Sequence, residues 1–414
     1  MDSVSHRQNI RALFFGLPRF ATMFVYTSLV TLTLPLLVVE TVGDQGKGKH
    51  LGLITAGGAF LSVGILYIFG RFRDRKSRII QGPKYPLYGL GLMLPGLIIL
   101  ASGRKYSLLI FAFFIIIISR SFCEASHLAV LADRPPYGGR QRFTAGIAFW
   151  HFLGTGLGAL SFGFLPRTSW IRGGGLTSSP AALAAFLVAL SMGGYLLLFV
   201  RPQQRAFLPS RAPGKSMRFK LPGNLTYLIG ARISFMCGIL IISTFLLYIV
   251  RDLIAAQNVQ RTTALLYGVS IIGGVLAALP AGKLTEKRGE RFVLFLSGAV
   301  LALTAILFFA LGRFHPALTI ICMMVYGSGF ALTFSAGLSL TVKLIPHPRM
   351  SGRVMAIITA STFVSQFLAS LSGAVVLDPL NRIGHNLGYF ALLVLIEINF
   401  LVGGLFLFKI KDRD

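Results

Sequence analysis

Hydrophobic and polar positions alternate along this chain in long blocks. Apolar runs lie near 16–42, 51–70, 85–101, 107–132, 143–165 and 181–200, then near 223–250, 264–281, 292–311, 316–345, 353–377 and 387–408. A bilayer core is crossed by a helix of about 20 apolar residues, so the pattern predicts twelve spanning helices. Helices are the expected element because the hydrocarbon region offers no water to backbone N–H and C=O groups. The 414 residues leave room for twelve spans with short connections and no large extramembrane domain.

Composition strengthens this reading. Hydrophobic residues make up 54% and charged residues only 13%, against about 25% charged in soluble domains. The fold expected is an all-α, multi-pass protein of the cytoplasmic (plasma) membrane. Cys123, Cys237 and Cys322 sit far apart in apolar runs with no Cys or His at ligand spacing, which argues against a disulfide framework or a metal site. The first run is too long for a removable signal peptide and lacks a small-residue cleavage site, so it reads as a retained span.

The net charge of +27 has to be located before it is interpreted. With the N-terminus taken as cytoplasmic, 28 of the 40 Lys and Arg fall in segments on that side and 10 on the other, while Arg120 and Arg232 lie inside spans. Translocated loops disfavour positive charge, so both termini are expected in the cytoplasm. The basic balance then signals topology and affinity for anionic lipid rather than nucleic acid. No phosphate-binding G-x-x-x-x-G-K-[ST] loop, G-x-S-x-G elbow or H-E-x-x-H helix occurs, so the chain is not expected to be an enzyme or to need a cofactor.

A repeat organises the runs. Gly70-Arg71-Phe72-Arg73-Asp74-Arg75-Lys76-Ser77-Arg78 follows the second run, and Gly282-Lys283-Leu284-Thr285-Glu286-Lys287-Arg288-Gly289-Glu290-Arg291 follows the eighth, with Gly70 and Gly282 212 residues apart. The pairs Gly139-Arg140 and Gly352-Arg353, after the fourth and tenth runs, are 213 apart. This spacing predicts two parallel six-helix halves, 1–200 and 223–414, joined by a polar cytoplasmic linker, 201–222.

These loops resemble the signature of the major facilitator superfamily, G-x-x-x-D-R/K-x-G-R-R/K between spans two and three. Gly70, Asp74, Arg75 and Arg78 match, with Ser77 in place of a glycine; Gly282, Lys287, Gly289 and Arg291 match in the second copy, with Glu286 for the aspartate. The resemblance implies a cytoplasmic latch, in which Asp74 faces the N-terminus of the eleventh helix near Ser351 and Glu286 faces that of the fifth near Gln141, holding the outward-facing state. The residues alone also fit a basic loop that only sets topology. A narrower stretch, Asp74-Arg75-Lys76-Ser77-Arg78 before Gly82-Pro83-Lys84-Tyr85-Pro86, together with Leu131-Ala132-Asp133 and Ser365-Gln366, resembles sucrose/proton and glycoside cation symporters. In that branch an arginine stands where this chain has Pro83, and another where it has His127.

Polar residues inside spans are costly and therefore candidates for function. Arg120, Glu124 and His127 share one face of the fourth span by their i, i+4, i+7 spacing. A partly dehydrated carboxyl can exchange a proton in the physiological range, which makes Glu124 the expected proton-coupling group with Arg120 and His127 beside it. A static Arg120–Glu124 pair, and a hydrogen-bonded neutral His127, are the alternatives. Arg232, near mid-depth in the seventh span, could pair with Glu124 or grip substrate hydroxyls or a carboxylate. Trp150, His151, Tyr26, Tyr326 and Gln366 complete an expected substrate-binding set. Glu397 with Asn399 is read as structural, because the resemblance makes the twelfth helix peripheral, and Glu40 and Asp378 as solvated.

The function expected is secondary active transport by alternating access: proton-coupled uptake of a small neutral glycoside or polyol by a monomer in contact with membrane lipid. Export of amphipathic drugs by proton antiport is the alternative in the same fold. A membrane receptor or assembly factor without transport is the alternative of another class, and would show Arg120 locked to Glu124 with Arg232 occluded.

Overall fold

The computed structural model describes residues 14–75, 84–102, 106–132, 140–164, 180–200, 223–311, 316–345 and 351–410. They form twelve helices, one for each apolar run. Helix α1 covers Leu17–Val42, α2 Lys47–Arg75, α3 Tyr85–Ser102, α4 Tyr106–Ala132, α5 Arg140–Phe164 and α6 Pro180–Tyr195 with a π-helical turn at Leu196–Val200. Helix α7 covers Gly223–Tyr248 with a π-helical turn at Ile249–Leu253, α8 Val259–Arg288, α9 Glu290–Leu311, α10 Pro316–Leu344, α11 Ser351–Ile383 and α12 Leu387–Phe408.

Among the described residues nine helices are long and apolar enough to cross a membrane, and Tyr85–Leu100 and Ala184–Leu198 form shorter apolar helices. Several helices outrun their apolar stretches. In α8 the helix continues through the polar Thr285–Arg288 turn and stops at Gly289, whose φ of +81° only glycine adopts readily. Its other end is capped by Asn258, whose side-chain oxygen accepts from the Arg261 amide at 3.1 Å.

Hydroxyls inside the helices return to the backbone, as an apolar surround demands. Thr55 Oγ1 donates to the Leu51 carbonyl at 2.7 Å, Thr341 Oγ1 to Gly337 at 2.7 Å, and Ser28 Oγ to Phe24 at 2.6 Å just before the π-helical turn Leu29–Thr33 of α1. Large apolar side chains also point outward, among them Phe186, Leu303, Val394 and Leu401. In a water-soluble domain such a surface would drive association; against lipid it is the expected exterior.

Contacts divide the chain into two compact units. The first holds α1 up to Leu29, α2 from Leu61, and α3 to α6 apart from Phe162–Phe164; the second holds Val30–Phe60, Phe162–Phe164 and α7 to α12. The expected linker, 201–222, lies outside the described residues.

Glycines set how closely helices approach within each unit. In the second unit α8 and α10 are in backbone contact: a Cβ at Gly273 would collide with the Met324 carbonyl, and one at Gly327 with the Ser270 carbonyl. In the first unit Gly154 and Gly158 of α5 lie against the Phe20 and Phe24 carbonyls of α1, with room for no Cβ at either. Gly327→Leu is therefore expected to separate α8 from α10 and to destabilise the protein by about 1–3 kcal/mol or more, read as a lower melting midpoint in detergent.

Candidate functional site

The first unit gathers buried charge around α4. Arg120 Nε donates to Glu124 Oε1 at 3.0 Å, as the i, i+4 spacing allows. A second guanidinium, from Arg19 on α1, makes an ion pair with the same oxygen. The Glu124 side chain is 2% exposed, so two cations meet one carboxylate almost without water. Arg120 also stacks over Tyr26, 3.5 Å from the ring centroid, which spreads its charge onto an aromatic face.

Helix α5 joins this cluster because its glycines bring it against α1. Arg19 Nε donates to His151 Nδ1 at 3.1 Å, so that ring nitrogen acts as an acceptor. The adjacent Trp150 packs edge-on to Phe20 of α1 at 5.5 Å and near Phe14 at 5.9 Å. His127 lies one turn beyond Glu124, its Nε2 2.8 Å from the Phe15 carbonyl oxygen and its ring 4.4 Å from that of Phe15. A carbonyl only accepts, so His127 donates there and holds the start of the described chain to α4.

Of the candidates for binding and coupling, Arg120, Glu124, Tyr26 and His151 lie in one cluster, with His127 next to it. Arg19 joins them from three residues inside the first apolar run, and that place among apolar residues is the sequence signal for it.

In the second unit Arg232 of α7 is 9% exposed and donates through Nη2 to Thr362 Oγ1 of α11 at 3.3 Å. Its guanidinium lies 5.8 Å from the Phe334 ring of α10. Among the described residues it pairs with no carboxylate, and its buried Nε has no hydrogen-bond partner. Gln366 is engaged by its own helix bundle, its Nε2 donating to Thr244 Oγ1 and Ser370 Oγ, both at 3.1 Å. Tyr326 donates to the Ile239 carbonyl at 3.3 Å. Glu397 on α12 keeps Oε1 buried without a hydrogen bond among the described residues.

A third polar group surrounds the turn between α1 and α2, also within the second unit. Lys47 is 5% exposed and pairs with Asp252, which also accepts from Tyr389. Arg251 Nη1 lies 2.8 Å from Asp44 Oδ1. Asp378, expected to be solvated, is instead buried: its two oxygens accept from the Gly48 and Lys49 amides at 3.1 and 2.7 Å, capping α2 from another helix. Partial burial pushes the Asp44 carboxyl up, but Lys47 and Arg251 outweigh it and hold its pKa below the ordinary carboxylate value.

The sequence profile described as Major Facilitator Superfamily matches residues 19–370. The chain belongs to the major facilitator superfamily. The twelve helices also superpose on solved transporters of low sequence identity. A point mutant of the nucleoside transporter NupG gives a TM-score of 0.69 at 16% identity, covering 96% of this chain and 100% of that one. The peptide transporter POT in complex with alafosfalin gives 0.69 at 15%, covering 96% and 93%. A bacterial homologue of the iron transporter ferroportin, outward-facing, gives 0.66 at 15%, covering 97% and 98%. No curated protein matches the sequence. As a facilitator-superfamily member the chain is a multi-pass membrane protein of a small-molecule transporter family rather than an enzyme.

Of the superfamily signature, Gly70, Asp74 and Arg75 fall in α2 and Gly282 and Glu286 in α8, with the side chains of Asp74, Arg75 and Glu286 outside the described residues, as is Arg78. Lys287 is exposed at the end of α8, and Arg291 is half-buried in the first turn of α9.

Two outcomes follow from the geometry. Glu124→Gln leaves the buried Arg120 and the half-buried Arg19 guanidiniums facing each other and is expected to lower stability by about 3 kcal/mol, part of which Glu124→Gln/Arg19→Gln recovers; melting in detergent reads both. Asp44, with its lowered pKa, contributes fully above its unfolded value near pH 4, and that contribution is lost as pH falls through the folded value. The melting difference between wild type and Asp44→Asn is therefore expected at pH 7 and to shrink toward zero below about pH 4.

Proposed function

We propose that this facilitator-superfamily chain is a proton-coupled carrier that takes up a small polyhydroxylated solute by alternating access, with Glu124 as the coupling carboxylate. The observation that supports the reading is the convergence of Arg19 and Arg120 on one oxygen of the buried Glu124. A buried carboxylate matched by two cations has no electrostatic reason to take up a proton until one of them leaves.

Arg19 is the cation with somewhere to go. It is 19% exposed, against 9% for Arg120, and it is already shared with His151. In the proposed cycle solute binding draws Arg19 off Glu124, the carboxylate takes a proton, and release of solute on the other side lets the pair re-form and expel it. Coupling is then the difference in solute affinity between the two protonation states. The resemblance to glycoside symporters supports a hydroxylated solute, and the expected two-half arrangement with cytoplasmic termini belongs to the same proposal.

A receptor or assembly factor without transport is the second reading, favoured by the close Arg120–Glu124 pairing and the burial of Arg232.

Internal pH of proteoliposomes distinguishes them. Under an imposed gradient, sugars, sugar alcohols and sugar acids are expected to drive proton entry in wild type and not in Glu124→Gln/Arg19→Gln, the variant chosen to keep its fold. Proton exit driven by cationic drugs would replace uptake with antiport. Silence from every compound, with folded protein, would favour the non-transporting reading.

A further inference from the structure

The Arg19–Glu124 pair has a counterpart in the sequence that lacks its carboxylate. Arg232 stands 213 residues after Arg19, and Gly337 stands 213 residues after Glu124. This is the offset separating the two Gly-Arg pairs at 139–140 and 352–353. Arg19 is on α1 and Arg232 on α7; Glu124 is on α4 and Gly337 on α10, so each pair joins the first and fourth helices of one six-helix series.

The correspondence extends to contact. In the first unit Arg19 reaches Glu124. In the second, a Cβ built on Gly337 would lie 3.6 Å from Arg232 Nη1. The guanidinium is therefore beside the position from which a glutamate would meet it, and that position carries no side chain. The residue 213 after Arg120 is Thr333, which donates to Ser297 Oγ at 2.9 Å and brings no second charge.

What remains is a buried cation with one neutral hydroxyl at 3.3 Å, an aromatic face, and an unpartnered Nε. A desolvated guanidinium is costly unless an anion meets it, and its planar donor fork suits a carboxylate. We infer that Arg232 and Gly337 form the binding site for a carboxylate on the transported solute, supplied in trans where the first unit supplies Glu124 in cis. The solute is then a small hydroxylated acid of the sugar-acid kind, not a neutral glycoside, which would leave the Arg232 charge unmet. The inference rests on reading the chain as a solute carrier, but not on proton coupling.

Gly337 allows a direct test. A Cβ there meets Arg232 Nη1 at 3.6 Å and Leu294 Cδ2 at 3.9 Å, ordinary van der Waals contacts, so the position accepts a side chain without a clash. Gly337→Glu would supply the missing carboxylate within the chain. Melting of purified protein in detergent is measured with matched probes: glucuronate against glucose, gluconate against sorbitol, and succinate against succinamide. Carboxylates are expected to stabilise wild type at concentrations at least roughly tenfold below their neutral partners. Gly337→Glu is expected to melt several degrees higher without any probe and to lose the carboxylate response. Adding Arg232→Gln should remove the gain, and Arg232→Gln alone should lose the response.

Equal stabilisation by neutral and acidic partners, no response to any carboxylate in wild type, or a Gly337→Glu protein that melts no higher and still responds would each overturn the assignment. Because the readout is equilibrium binding, failure of proton flux in proteoliposomes would sink the coupling reading while leaving this result standing.

Discussion

Charge placed among apolar helices has to be matched inside the protein, and the Arg19–Glu124–Arg120 cluster is where this chain meets that constraint most fully. Glu124 cannot be hydrated at 2% exposure, so the two guanidiniums do what water would do. In doing so they fix α1 against α4 at a defined register. His127 on Phe15 and Ser121 Oγ on Ser62 Oγ, at 2.8 Å, extend the same alignment toward the ends of the helix and to α2. A helix bundle without a hydrophobic driving force between its members depends on such polar fasteners together with close packing.

Close packing is what makes the cluster three-sided. Without Gly154 and Gly158 at the α1 backbone, α5 would stand off and His151 would not reach Arg19. The second unit uses the same device between α8 and α10, and its charges gather at the α1–α2 turn, where Asp378 caps α2 and Lys47 and Arg251 meet Asp252 and Asp44. Both solutions use side chains distant in sequence, so the fasteners tie helices that the chain does not connect directly.

The sequence was most legible where the physics is local. Twelve apolar runs became twelve helices, and the i, i+4 spacing of Arg120 and Glu124 became a 3.0 Å contact. It was least legible where pairing is long-range: Arg19 with Glu124 spans 105 residues, Lys47 with Asp252 205, and Asp378 with Gly48 330. No periodicity reports such pairs. Asp378 read as solvated because its run appeared to be ending, whereas α11 continues to Ile383 and buries it against the start of α2.

The two units handle positive charge in different ways, and that difference bears on function. The first has two guanidiniums on one carboxylate and is a closed set that can open only by exchanging partners. In the second, the Arg232 guanidinium has partial, neutral contacts and nothing to exchange until an anion arrives. If both were closed, solute would have to break an existing pair at each contact and gain little on binding. If both were open, two unmatched charges would burden the empty carrier. In the proposed cycle one closed set and one open site would divide the work: the open cation would supply affinity, and the closed one the barrier that makes proton uptake depend on solute.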